Sequence, residues 1–311
     1  MKPLARILAG VSLLAVLAAG LIFLLAPESP PETQQGRITP VHVEHGSYLQ
    51  YIPSTVAATP EIVVLVHGTP DKGKSAFDTV EIYIEQWTDF AEETGAIVLS
   101  IAFDQHGYGS IEGGELGGYR SLMGRTIGAD AFAEEIVDYY RAAFGIADER
   151  FYLYGHSAGG QFVARYSVTH PHRVKGAVIS AAGRYPYPTQ SVAWPFGMGR
   201  LQTPFQWDEN EPEIMLDVRP DPAGWVEAAG LPLVVVVGLN DTEPQYEDPG
   251  QQGSTRLRNG SAWVRAMNTY AEENGGEGNV RFSAVPGRGH SALGIMPFCQ
   301  EELKTMLAAS T

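Results

Sequence analysis

Cysteine is nearly missing from this chain of 311 residues: Cys299 stands alone. A single cysteine forms no intrachain disulfide, and no CxxC or zinc-type spacing can exist. Cys299 falls in a segment that reads as a C-terminal helix, where a small buried apolar residue is expected rather than a catalytic thiol. Positive charge is also scarce. Twenty-one Lys and Arg face 36 Asp and Glu, for a formal net charge of −15. A surface of that sign repels phosphate backbones, so no nucleic-acid partner is expected, and its ordinary consequence is solubility. The chain has no P-loop, no G-x-G-x-x-G after a strand and no H-E-x-x-H, and no internal repeat is visible. His42 and His45 stand three apart in a strand-like stretch, which sends them to opposite faces. Neither a metal nor a cofactor is therefore expected.

What is present is the composition of an ordinary globular protein, 44% hydrophobic and 18% charged, long enough for one large α/β domain. The N-terminus is a separate case. Lys2 and Arg6 precede an uncharged apolar run over residues 7–26, and Glu28 and Glu32 follow it. That run is long enough to cross a bilayer core of about 30 Å, with the N-terminus on the cytoplasmic side. It reads as a membrane anchor, or alternatively as a cleaved signal segment, and either leaves the rest of the chain outside the cytoplasm. No cysteine lies near it to carry a lipid. Residues 27–37, rich in Pro, Glu, Thr and Gln, read as a flexible linker, and residues 38–311 as the folded domain.

Across that domain, short apolar runs alternate with helical patterns. Strands are predicted over 61–66, 96–103, 151–154, 174–181, 233–237 and 280–285, and helices over 81–94, 129–144, 158–170, 263–274 and 297–309. Nearly all-apolar strands alternating with helices mean a mostly parallel sheet covered on both faces. Residues 184–225 break the rhythm with seven prolines and seven aromatics. A stretch of that length without periodicity reads as a cap inserted over a site. Trp194 and Phe196 within it are candidates for a substrate pocket.

Gly155-His156-Ser157-Ala158-Gly159 fits G-x-S-x-G. The pattern is common by chance, but here it joins a predicted strand to a predicted helix, the setting of a nucleophile elbow. Such a turn strains the serine backbone, and side chains two residues either side would clash, so Gly155 and Gly159 are required. A serine hydroxyl needs a base. Of eight histidines, His290 follows the last strand and so reaches the carboxyl edge of the sheet, as Ser157 does. The imidazolium needs an anion. Asp241, in the turn after strand 233–237, reaches the same edge, with Glu243, Glu247 and Asp248 as nearby competitors. The oxyanion of a tetrahedral intermediate needs two N–H donors. These are expected from Ala158 and, in the turn His67-Gly68-Thr69-Pro70, from Thr69. His67 is expected to be a structural hydrogen-bonding group.

Together, Val66-His67-Gly68, the loop 103–109, the elbow around Ser157, Asn240-Asp241 and Gly289-His290 resemble the α/β-hydrolase superfamily in order and spacing. The resemblance covers about residues 55–311. His170-Pro171-His172-Arg173-Val174-Lys175-Gly176 and Asn240-Asp241-Thr242-Glu243 are similar to secreted esterases related to polyhydroxybutyrate depolymerases and feruloyl esterases. It implies an α/β-hydrolase fold and a Ser157–His290–Asp241 serine hydrolase that cleaves a small-molecule or polymeric ester. Peptide or amide cleavage by the same triad is the alternative. A non-catalytic binding protein on the same fold is the third reading, and the intact triad argues against it.

Overall fold

The computed structural model describes residues 34–109, 118–208, 210–245, 250–251 and 253–309. The apolar run 7–26, most of the proposed linker, Glu247 and Asp248 lie outside them. Among the described residues, no helix is long and apolar enough to cross a membrane.

Eight strands form one sheet in the order β1-β2-β4-β3-β5-β6-β9-β10. They are β1 (Arg37–Val43), β2 (Gly46–Ile52), β3 (Ile62–Val66), β4 (Ile97–Ala102), β5 (Phe151–His156), β6 (Val174–Ser180), β9 (Leu233–Gly238) and β10 (Arg281–Val285). From β4 to β10 every pairing is parallel, whereas β1–β2 and β2–β4 are antiparallel. The sheet is the mostly parallel, two-sided one that the apolar runs predict. The β1–β2 hairpin was not expected. Arg37, assigned to the linker, is the first residue of β1, and Gln35 already bridges to Ile52.

Period-two alternation within the apolar strands divides the core in two. Ile62, Val64 and Val66 of β3 face the same side as Val235 and Val237 of β9; Val63 and Leu65 face the other side with Val234 and Val236. The first face is covered by α2 (Ala129–Phe144), α3 (Ala158–Thr169), α4 (Ala223–Gly230) and α5 (Arg256–Glu273); the second by α1 (Ala76–Thr94) and α6 (Ala292–Ala309). Helix α1 shows how locally this is encoded. Ser75 Oγ accepts from the Asp78 N–H while the Asp78 carboxylate accepts from the Ser75 N–H, a capping box, and Gly95 ends the helix at φ 70°. Val80, Ile84, Trp87 and Ala91 then recur on one buried face. Cys299 is buried in α6 against the sheet, with its thiol pushed up to about 12 by burial.

The Pro- and aromatic-rich insertion runs from the end of β6 into α4. It carries a separate hairpin of β7 (Leu201–Phe205) and β8 (Ile214–Val218). Beyond β7, Trp207 Nε1 donates to the His106 carbonyl, and Arg125 pairs with Asp208 and Glu211. These contacts dock the insertion on the loop that follows β4, at the carboxyl edge of the sheet.

Candidate active site

Strand β5 ends in a turn whose third residue pays no regard to ordinary backbone preference: Ser157 sits at φ 55° and ψ −110°. A non-glycine residue in that region carries strain of about 1–3 kcal/mol, tolerated where the surroundings over-determine it. They do so here. The Ser157 N–H donates to the Ser180 carbonyl of β6 at 2.8 Å. A Cβ on Gly155 would lie 2.7 Å from Val163 Cγ2, and one on Gly159 would lie 2.7 Å from the His67 carbonyl oxygen. Both glycines are thus demanded by close approach, and α3 starts directly behind the serine.

Three turns meet at this edge. His290 follows β10, and its Nε2 lies 3.1 Å from Ser157 Oγ. Its Nδ1 lies 2.8 Å from Asp241 Oδ2. A carboxylate only accepts, so Nδ1 carries the proton and Nε2 is left to accept from the serine hydroxyl. The acid and base turns are tied to each other: Leu239 N–H donates to Val285 O, and Asn240 N–H to Arg288 O. Asp241 is buried, and its second oxygen accepts from Arg256 Nη1 at 2.9 Å. Burial pushes its carboxyl up, but the hydrogen bond and charge of His290, with the Arg256 guanidinium, outweigh that and hold it below the usual aspartate value. Glu243 is exposed, and among the described residues its carboxylate reaches only Arg256, at 3.6 Å.

Two further histidines shape the site without facing the serine hydroxyl. His156 Nε2 lies 3.0 Å from the carbonyl of His290 and Nδ1 lies 3.0 Å from Ser180 Oγ. The carbonyl can only accept, so Nε2 donates and Nδ1 accepts. Burial, reinforced by His290, lowers its pKa to about 3. His67 is likewise neutral, lowered to about 4 by burial. Its Nδ1 donates to Gly68 O at 2.6 Å, and its Nε2 accepts from the Phe103 N–H at 3.1 Å. It therefore staples the turn after β3 to the end of β4.

That turn brings Thr69 to the cavity beside Ser157. A Cβ on Gly68 would lie 3.4 Å from Ser157 Cβ. Neither the Thr69 N–H nor the Ala158 N–H has an acceptor among the described residues. The cavity measures about 530 Å³ and is lined by Thr69, Lys74, Ile82, Tyr83, Arg256 and Leu293, among others, around Ser157 and His290. Trp194 and Phe196 are not among its described lining residues. Both are buried, Trp194 beside a separate cavity and Phe196 under the Arg165 guanidinium. The sequence reading missed Arg256 and the clamp by His156. Arg256 carries no signal, being 15 residues from Asp241 in a different element, whereas His156 stood in the motif itself.

A family model for the alpha/beta hydrolase family matches residues 63–294. No curated protein matches the chain. Among solved structures, the poly(3-hydroxybutyrate) depolymerase LpqC from Bordetella parapertussis is similar with a TM-score of 0.68 and 20% identity, over 91% of this chain and 98% of that one. Poly(aspartic acid) hydrolase-1 from Sphingomonas sp. KT-1 gives 0.67 and 22%, over 86% and 98%. The fluorophosphonate-binding serine hydrolase FphF of Staphylococcus aureus gives 0.52 and 16%, over 87% and 97%. At these identities the likeness is one of fold alone.

Proposed function

The chain belongs to the alpha/beta hydrolase family, and we propose that it is a serine hydrolase cleaving carboxylic esters through an acyl-Ser157 intermediate. The observation that carries this reading is the unbroken chain from Ser157 Oγ through His290 to buried Asp241, at 3.1 and 2.8 Å. Ser157 Oγ attacks the ester carbonyl carbon as its proton passes to His290 Nε2. Asp241 stabilises the imidazolium, and Arg256 keeps Asp241 ionised. The carbonyl oxygen, now an anion, accepts from the N–H groups of Ala158 and Thr69. The intermediate collapses, the ester C–O bond breaks, and His290 returns the proton to the leaving alkoxide. Water, deprotonated by His290, then attacks the acyl-serine and releases the acid.

The substrate is a small-molecule or polymeric ester. Polymer cleavage is consistent with the named activities of the depolymerase LpqC and of the poly(aspartic acid) hydrolase, the second of which also keeps amide cleavage as an alternative. Labelling with a fluorophosphonate probe, followed by a panel of ester and amide substrates, tests the reading. Absence of labelling at Ser157 overturns it, and turnover confined to amides replaces the ester by an amide. The proposal keeps the layout read from the sequence with its linker cut short where the sheet begins: residues 7–26 as a membrane anchor or signal segment, a spacer that ends before Gln35, and the remainder as a catalytic domain outside the cytoplasm. Cell fractionation with protease shaving tests it, and a full-length product in the soluble cytoplasmic fraction refutes it.

A further inference from the structure

The turn after β3 is bonded at nearly every polar atom. Tyr119 Oη donates to His67 O at 3.2 Å. The Gly68 N–H donates to Tyr83 Oη at 3.2 Å. His67 Nδ1 donates to Gly68 O at 2.6 Å. Arg120 Nη2 donates to Thr69 Oγ1 at 2.9 Å. The last bond decides something about hydrogen. A guanidinium has donors only, so the Thr69 hydroxyl is the acceptor in it, and its own hydrogen remains for a second acceptor. Among the described residues Thr69 Oγ1 has no other partner, and Arg120 has no carboxylate within ion-pair distance. Thr69 lines the cavity that holds Ser157 and His290.

Resting on the acyl-serine reading above, we propose that the Thr69 hydroxyl is a third donor to the oxyanion, and that Arg120 is the positioning residue that orients and polarises it. As the carbonyl oxygen of the substrate gains charge, it accepts from two backbone N–H groups and from the Thr69 O–H. No proton changes owner at Thr69: the hydroxyl donates a hydrogen bond and keeps its hydrogen. An O–H whose oxygen already accepts from a cation is a stronger donor, and a bond from it to an oxyanion is charge-assisted. Because the turn is fixed by Tyr119, Tyr83 and His67, the donor is in place before charge develops, which is what makes such a group effective. The Arg120 charge adds to the same field.

Thr69→Val keeps the shape and the backbone N–H and removes only the hydroxyl, while Thr69→Ser restores it. On a chromogenic short-chain ester, Thr69→Val should lower kcat on the order of 10²-fold, with KM changed less than about threefold. Thr69→Ser should return kcat to within about fivefold of the wild type. Arg120→Gln should lower kcat about tenfold, Arg120→Lys less, and Thr69→Val combined with Arg120→Gln should lose little beyond Thr69→Val alone, because Arg120 acts through that hydroxyl. Wild-type kcat in Thr69→Val overturns the third donor, as does a loss that serine does not restore. Additive losses in the double variant overturn the role of Arg120. Fluorophosphonate labelling of the wild type is run alongside. Labelling with an unaffected Thr69→Val sinks this inference alone, whereas no labelling sinks the acyl-serine reading beneath it.

Discussion

Replacing Gly159 by alanine should damage stability and turnover together. The added Cβ would stand 2.6 Å from the carbonyl carbon of Val66 and 2.7 Å from the His67 carbonyl oxygen, with the Val66 oxygen nearer still. Ordinary carbon contacts lie at about 3.5–4 Å, so α3 and the end of β3 would have to part by roughly 1 Å. Both sides of the clash are backbone, and no rotamer can relieve it. Overpacking of this kind costs about 1–3 kcal/mol, and two rigid walls put this site at the upper end. For a domain of this size, 3 kcal/mol lowers Tm by about 6–12 °C. The moving parts are the ones that hold Ser157, the Ala158 N–H and the turn of Thr69, so a shift of about 1 Å should also lower kcat about 10²-fold. Gly230→Ala is the control. Its Cβ would meet nothing within 4 Å, and Gly230 ends α4 without a positive φ. That change should be neutral or stabilise by up to about 1 kcal/mol. Thermal melts followed by circular dichroism, with steady-state ester hydrolysis on the same samples, measure both effects. A Gly159→Ala variant with native Tm and native kcat would refute the close approach of α3 to β3.

Ser157→Ala and His290→Ala should each lower kcat by about 10⁴–10⁶, and the double variant should be little worse, since both act in one proton transfer. Asp241→Asn should cost on the order of 10⁴, while Glu243→Gln stays near native; the reverse result would reassign the acid. His156→Gln, which can still donate to the His290 carbonyl, should retain far more kcat than His156→Phe, and equal losses would dismiss the clamp. Stability should fall on acidification. His67 and His156 are held near 4 and 3, below their ordinary 6.5, so only the unfolded chain takes up these protons between about 6.5 and 4. Their stabilisation is complete above about pH 6.5 and is lost at about 1.4 kcal/mol per pH unit for each histidine as pH drops. Melting temperatures from pH 7 to 4.5 measure this, and an unchanged slope in folded His67→Gln would remove His67 from the account.

The parallel core was legible because β3 and β9 are apolar at every position, with both faces buried. The β1–β2 hairpin was not. In β1 the sequence Arg-Ile-Thr-Pro-Val-His-Val mixes four apolar side chains with three polar ones, and no position is fully buried. It is an edge strand, and its stability comes from pairing with β2 rather than from its own pattern. Helix α4 was hidden by Pro220 and Pro222, although Trp225 within it is fully buried. In the site, sheet topology did the selecting: Ser157, Asp241 and His290 each follow a parallel strand, so each emerges at the same edge. Arg256 and Arg120 could not be found that way. Their contacts with Asp241 and Thr69 depend on how α5 and the turn Gly118–Ser121 pack, and neither spacing nor residue type announces that.

The three histidines around Ser157 show why geometry has to choose among them. All three lie at strand ends on the carboxyl edge, and His156 is the immediate neighbour of the serine. Yet both ring nitrogens of His156 are engaged, one by a carbonyl and one by Ser180, and burial holds it near 3. Both nitrogens of His67 are engaged as well, by Gly68 and Phe103. A base must have a lone pair facing the hydroxyl and must be able to hold the proton once it arrives. Of the three, His290 alone meets both conditions: its Nε2 faces Ser157 Oγ, its Nδ1 is backed by a buried carboxylate, and its side chain is 31% exposed and lines the cavity that also holds Ser157. The two engaged histidines serve it instead. His156 holds the backbone of His290, and His67 holds the turn that presents Thr69, so in the proposed mechanism one residue type fills a reactive role and two scaffolding roles according to what each ring nitrogen touches.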